Sequence, residues 1–163
     1  MHKQKGFTLL ELLIVIGIIA ILAGVAFVAL DPLSRFRDAR DAKRWSDVTA
    51  VLSAIKIDQV DNRGPYHWSI GLLNAATNYQ ISSATTTTAC HTTCTGVATS
   101  TDACVNLSEV VTQGYLSSLP IAPNGNQSWD STYTGYYLRR NANNSIVVGS
   151  CDSESSPAIS VQR

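Results

Sequence analysis

Residues 6–30 read GFTLLELLIVIGIIAILAGVAFVAL. From Phe7 to Leu30 the only ionisable side chain is Glu11. At about 1.5 Å per residue this run reaches roughly 36 Å as a helix, long enough to cross a bilayer. Ahead of it stands Met1-His2-Lys3-Gln4-Lys5-Gly6, a short basic segment of the kind held in the cytoplasm while the rest of the chain is carried across. Three kinds of processing compete for such a start: a secretory signal cut after the apolar run, an uncut signal anchor, or a leader cut before the run. An ordinary secretory core is about 7 to 15 residues, shorter than this one, and carries no glutamate one turn inside it. Its late cleavage options are weak, Gly24-Val25-Ala26 being an example.

The spacing Gly6-Phe7-Thr8-Leu9-Leu10-Glu11 combines a small residue, an aromatic start and a carboxylate ahead of a continuous apolar helix. It resembles the class III signal peptide of the type IV pilin and type II secretion pseudopilin superfamily. The resemblance implies cleavage by a prepilin peptidase between Gly6 and Phe7 and N-methylation of Phe7. It also implies subunit assembly through Glu11. The physical argument for Glu11 runs the same way, because an ionised carboxylate in hydrocarbon costs about 2.5–3.5 kcal/mol on insertion scales. A cut before Phe7 frees a cationic amine one helical turn away, on the same chain or on a neighbour; the family implies the neighbour. Protonation, or snorkelling towards headgroups, is the alternative for an isolated subunit in the membrane.

Asp31-Pro32 interrupts the apolar run, and a proline there frees the carbonyl of Val28, so a kink or local loosening is expected. Beyond it Leu33, Phe36, Trp45, Val48, Leu52 and Ile55 recur at helical spacing and mark an amphipathic continuation. Arg35, Arg37, Asp38, Arg40, Asp41, Lys43, Arg44 and Asp47 fall on the other faces. Five basic residues interleaved with three acids read as a solvated face with intrahelical ion pairs, not as a nucleic-acid patch. The helix is expected to end near Asp61-Asn62-Arg63-Gly64-Pro65, with Gly64 in a left-handed cap.

In the remainder, Tyr66, Trp68, Ile70, Leu72, Leu73 and Tyr79 are expected to pack, and twelve of the twenty residues 82–101 are Ser or Thr. A segment of that composition builds no core of its own and reads as an exposed loop needing a covalent constraint. Cys90, Cys94, Cys104 and Cys151, on the outer side of a membrane, read as two disulfides whose pairing the sequence leaves open. One bridge within the first three and one from that loop to Cys151 is the preferred arrangement. A zinc site on Cys90-His91-Thr92-Thr93-Cys94 with Cys104 is the alternative, but the spacing lacks a paired CxxC pattern. No metal and no cofactor is expected. A short helix is expected over 105–113, ended by Gly114, followed by strands over 133–140, 145–150 and 158–162 with a turn at Asn141–Asn144. The stretches GYLSSLPIAPN and TGYYLRRNANNSIVVGS are similar to the C-terminal region of the pseudopilin-like branch. That branch binds calcium through acidic residues in a loop, whereas here Ala122 follows Leu119-Pro120-Ile121, and only Asp130, Asp152 and Glu154 are acidic after Glu109. The sequons at Asn106, Asn126 and Asn143 are short enough to arise by chance.

The chain has 163 residues, 15% of them charged, with 12 basic against 12 acidic side chains. That balance gives no strong nucleic-acid signal. His2, His67 and His91 sit in no context that would hold a base against a nucleophile, and no phosphate loop, HExxH or GxSxG occurs, so no catalytic residue and no enzyme is expected. The expected organisation is a leader (1–6), a membrane and filament-core helix (7–30), an amphipathic continuation (31–64) and a globular head (65–163). The fold class is α+β, a long N-terminal helix on a small antiparallel sheet. The resemblance implies a structural subunit of an extracytoplasmic, type IV pilus-like filament, a helical homo-oligomer in which the heads form the surface that meets other surfaces in adhesion. It also implies an inner-membrane assembly platform and motor as partners. A pseudopilin for protein secretion or DNA uptake is the second reading, and a membrane-anchored binding domain that never polymerises is the third. The precursor is expected to be a single-pass membrane protein with its head outside the cytoplasm, passing later to a cell-surface pilus or a periplasmic pseudopilus.

Overall fold

A computed structural model describes residues 6–64, 68–83, 94, 104–125, 127–155 and 158–163, and the backbone alone of Trp68. Residues 1–5, most of the Ser/Thr-rich stretch, Cys90, Tyr66, all three histidines and Asn126 lie outside the described residues. The chain divides into two compact units, Met1–Phe36 and Arg37–Arg163.

In the first unit helix α1 spans Leu9–Leu30. Every side chain along it is exposed, Phe27 and Leu30 as much as the aliphatic run before them. Beyond Glu11 in its first turn the surface is apolar on all sides, so such a helix has no face suited to water. It ends at Asp31, whose left-handed backbone (φ 35°, ψ 72°) separates it from helix α2, Pro32–Asp61. The expected interruption thus takes the form of a one-residue break. Pro32 occupies the first position of the new helix, where its missing N–H costs no hydrogen bond. Ser34 Oγ donates to the Asp31 carbonyl at 3.0 Å across this start.

The far end of α2 closes with paired bonds, Gly64 N to Gln59 O at 2.9 Å and Arg63 N to Val60 O at 3.2 Å. That is the Schellman arrangement, with Arg63 (φ 60°) as the left-handed residue and Gly64 (φ 109°) following. The expected cap is therefore displaced by one residue, onto a side chain that tolerates the conformation less well than glycine.

The second unit sets α2 against a five-stranded sheet. In chain order its elements are α3 (Trp68–Gly71), β1 (Asn78–Ser82), β2 (Val105–Asn106), α4 (Ser108–Thr112), β3 (Tyr136–Arg140), β4 (Ile146–Ser150) and β5 (Ser160–Gln162). The strand order is β2-β1-β3-β4-β5. The three expected strands are β3, β4 and β5, paired antiparallel, with Leu138 opposite Val148 and Val148 opposite Val161. β1 joins β3 antiparallel, and β2 adds a short parallel pair on the outside of β1, which makes the sheet mixed. β1 escapes a sequence reading because its alternation, Tyr79 and Ile81 against Asn78, Gln80 and Ser82, starts in an irregular stretch and runs into the Ser/Thr-rich one. β2 takes Val105 and Asn106 out of the expected helix 105–113, which shortens to α4.

By register, Tyr79, Ile81, Tyr136, Leu138, Ile146 and Val148 share one face. They form the core with Val48, Val51, Leu52 and Ile55 of α2. The sheet is closed on both faces at β4, every residue of which is buried, whereas Ser160 and Gln162 of β5 are exposed. On the second face Gly149 stands opposite Tyr137, and a Cβ there would come within 2.5 Å of the Tyr137 ring. Ile70 and Leu73 join the core, whereas Leu72 is exposed.

The amphipathic reading of α2 needs a correction. Its buried residues are Asp41, Arg44, Asp47, Val48, Val51, Leu52, Ala54, Ile55 and Asp58, a stripe that begins with charges. Leu33 and Phe36, expected on the apolar face, are exposed, and Trp45 is 39% exposed. Hydrophobic periodicity locates the stripe from Val48 onward, but extending it backwards through Trp45 and Phe36 selects the wrong side. Among the first turns of the second unit, the face towards the sheet is polar.

Candidate functional site

The N-terminal candidates lie together at the start of α1. Gly6 and Phe7 precede the helix, and the Phe7 side chain is 84% exposed. Thr8 is the N-cap, extended at φ −80°, ψ 150°, and its Oγ1 accepts a hydrogen bond from Glu11 N at 3.2 Å. Ser and Thr favour this position because a short hydroxyl reaches back to one of the four unpaired N–H groups at a helix start. The first intrahelical bond runs from Leu12 N to Thr8 O at 3.2 Å. Glu11 lies in the first turn, where the helix dipole favours a carboxylate. Threonine three residues before glutamate is the sequence signature of a capping box. The signal was present in Thr8-Leu9-Leu10-Glu11, although sequence reasoning used only the glutamate.

A second polar cluster, which the sequence reading missed, lies in the head. Arg44 is fully buried. Its Nη1 donates to Asp41 Oδ1 at 2.8 Å and to Glu154 Oε1 at 3.0 Å, and its Nη2 to the Pro123 carbonyl at 3.0 Å. Arg40 grips Glu154 from the partly exposed side through its Nε, at 2.7 Å, and a second ion-paired contact. The Asp41 carboxylate accepts the backbone N–H groups of Glu154 and Ser155, the latter at 2.7 Å. One turn further along α2, Asp47 pairs with Lys43 and accepts the Tyr136 hydroxyl at 2.6 Å. The turn after β4 is thereby fastened to α2 by charge. The available clue is that Asp41 and Arg44 fall seven and four residues before Val48, in phase with the apolar stripe.

The cluster shifts two of its own groups. The Arg40 guanidinium bonded to Glu154, helped by Arg44, overcomes the cost of burial and holds the Glu154 carboxyl at about 2, against an ordinary value of 4.5. Burial, reinforced by the hydrogen bond to Asp47, pushes the Tyr136 hydroxyl well above its usual range. Because folded Glu154 binds protons less readily than unfolded Glu154, its stabilisation is complete above pH 4.5 and is lost as the pH falls towards about 2. Denaturant midpoints measured at pH 7, 4.5 and 3 should hold between the first two and fall at the third. In Glu154→Gln the fall below pH 4.5 should shrink; an equal fall in both proteins would assign the acid sensitivity to other carboxylates.

Cys94 and Cys151 form a disulfide across 57 positions of sequence, and Cys104 is disulfide-bonded too. Cys151 N also donates to the Gly135 carbonyl at 2.9 Å, so the bridge and the charge cluster secure adjacent parts of one turn. Among the described residues no group of three or more His, Cys, Asp or Glu side chains gathers as metal ligands would. Of the sequon asparagines, Asn106 Oδ1 accepts Ser108 N at 2.8 Å, and Asn143 Oδ1 accepts Ser145 N in the β3–β4 turn.

Comparison with known proteins locates the similarity in the N-terminal part. Residues 1–27 match the family model described as the prokaryotic N-terminal methylation motif, the class III signal peptide of type IV pilins. No curated protein and no solved structure matches the chain. The motif supports a type IV pilin-like or pseudopilin protein, which is a structural class. Among the described residues one helix, Leu9–Asp61 counted across its break, is long and apolar enough to cross a membrane, and together with the motif it fits a membrane-anchored precursor.

Proposed function

We propose that this chain is a structural subunit of a type IV pilus-like extracytoplasmic filament. In this reading a prepilin peptidase cuts between Gly6 and Phe7, Phe7 is N-methylated, and polymerisation proceeds through α1 with the help of an inner-membrane platform and motor. The observation that carries the reading is the match of residues 1–27 to the methylation motif, on a helix whose side chains are exposed throughout. Such a helix needs an apolar surrounding, and both a bilayer and a bundle of identical helices provide one. Transfer from lipid to filament exchanges one apolar surrounding for another, so helix packing and the pairing of Glu11 with a neighbour's amine set the direction. The heads then form the outer surface, with the disulfide-tied segments among the parts that meet other surfaces.

The test is the N-terminal peptide mass of protein sheared from the cell surface. The expected species begins at methylated Phe7 and is recovered in the sheared fraction. Recovery from membranes alone, as a chain that still begins at Met1, would sink the proposal in favour of a membrane-anchored domain that does not polymerise.

A further inference from the structure

The polar cluster of the head constrains the loop beside it. A Cβ at Gly125 would meet Glu154 Oε1 at 2.5 Å and Arg44 Nη2 at 3.1 Å. Both side chains are fixed by their own bonds, Glu154 to Arg40 and Arg44, and Arg44 also to the Pro123 carbonyl, so glycine is the residue that fits. The residue before it is Asn124, the one asparagine of the chain that precedes a glycine. Packing of the cluster thus gives Asn124 a successor with no side chain to shield the main-chain nitrogen between them.

An asparagine amide is open to attack by the nitrogen of the next residue. Gly125 N bonds to Asn124 Cγ, the Cγ–Nδ2 bond breaks, and the Gly125 proton leaves with the amide nitrogen as ammonia, so that a cyclic succinimide remains. Water then opens the ring at either carbonyl, giving aspartate or, with the chain rerouted through Cγ, isoaspartate. The local geometry favours this course. Asn124 and Gly125 are both exposed, so water reaches them. Trp129 N donates to Asn124 Oδ1 at 3.0 Å, which polarises the Cγ carbonyl and meets the negative charge that develops on its oxygen during attack. No described residue bonds Asn124 Nδ2, the departing group. The nucleophile gives up only a long bond, Gly125 N to Gln127 O at 3.3 Å. At Asn144-Ser145, by contrast, the attacking nitrogen carries a side chain beside it and already donates to Asn143 Oδ1 at 3.1 Å.

We propose that Asn124-Gly125 is a self-modifying site, at which the head converts an amide to an acid without an enzyme and, in the isoaspartyl form, loosens its own polar cluster. Isoaspartate lengthens the main chain just ahead of Gly125 and so displaces that residue from its seat against Glu154 and Arg44. Aspartate lengthens nothing and keeps an oxygen for Trp129 N, so by itself it leaves the cluster in place. The proposal concerns the head alone and is independent of the filament reading.

The experiment stores the full chain in mild detergent near neutral pH, native or unfolded in urea, and follows each asparagine by peptide mass and by an isoaspartate-specific methyltransferase. Asn124 should convert at least about tenfold faster than any other asparagine, and its native and urea rates should agree within about twofold, a small difference in barrier. Gly125→Ala should slow the conversion by about tenfold. Because alanine there also crowds Glu154, Asn124→Gln is the second variant, its longer amide requiring a larger and slower ring. During storage the denaturant midpoint of wild type should fall in step with its isoaspartyl fraction, while that of Asn124→Gln stays constant. Asn124→Asp should keep the midpoint of fresh wild type. Protection of native Asn124 by more than about tenfold relative to urea would overturn the proposal. So would another asparagine converting first, or an isoaspartyl fraction as stable as fresh wild type.

Discussion

Replacing Arg44 by alanine is expected to lower the unfolding free energy of the head by about 3–5 kcal/mol, the usual cost of removing one partner from a buried ion pair. Among the described residues Arg44 is the largest fully buried side chain; it bonds Asp41 on its own helix, and two further hydrogen bonds cross from α2 to Glu154 and Pro123. Without it, Asp41 and Glu154 face each other across a cavity, and Arg40, partly in solvent, is left to balance both. Arg44→Met refills much of the volume but none of the charge, so it should be nearly as costly by itself. Combined with Glu154→Gln it should cost clearly less than the sum of the two single changes, because each single change strands a charge that the double change removes. Denaturant unfolding of the full chain in mild detergent, followed by tryptophan fluorescence, provides the measurement. A loss below about 1 kcal/mol for Arg44→Ala would mean that the cluster is tolerated by the fold without holding it.

Removing the Cys94–Cys151 bridge by the double change to alanine should cost about 4 kcal/mol, the chain-entropy value for a closed loop of nearly 60 residues. The two effects should not be independent. Cys151 lies three residues before Glu154, and the bridge, the Cys151–Gly135 bond and the Asp41–Glu154–Ser155 contacts all act on one turn. With the bridge gone, that turn can leave α2 without unfolding the sheet, and the Arg44 pairs then contribute only while it stays docked. Arg44→Ala added to the bridge-free protein should therefore cost less than in the bridged one, by on the order of 1 kcal/mol or more. Strict additivity would show that bridge and charge cluster stabilise separate parts of the head.

The elements readable from sequence are those whose signal is local. The apolar run of α1, the turn at Asn141–Asn144 and the alternation in β3 and β4 each depend on neighbours a few residues away, and the structure has them close to where they were expected. β1 and β2 were not legible, because a five-residue strand and a two-residue strand exist only through pairing partners some 25 to 60 positions distant. The polar cluster was hidden for a related reason. A run of alternating charges on a helix has the same pattern whether water or a buried turn lies opposite, and Glu154, more than a hundred positions from Arg44, carries no mark of the association.

At the N-terminus the chemistry is written into consecutive residues. A basic start, a small residue, an aromatic, a capping threonine, a glutamate and a long apolar run act through distances of one or two turns, so the methylation motif and the helix cap are both readable from their order. In the head, Asp41, Arg44 and Asp47 became interior groups only because the turn carrying Glu154 and the hydroxyl of Tyr136 close over them. Burial of a charge depends on what arrives from elsewhere in the chain, and long-range packing alone supplies it.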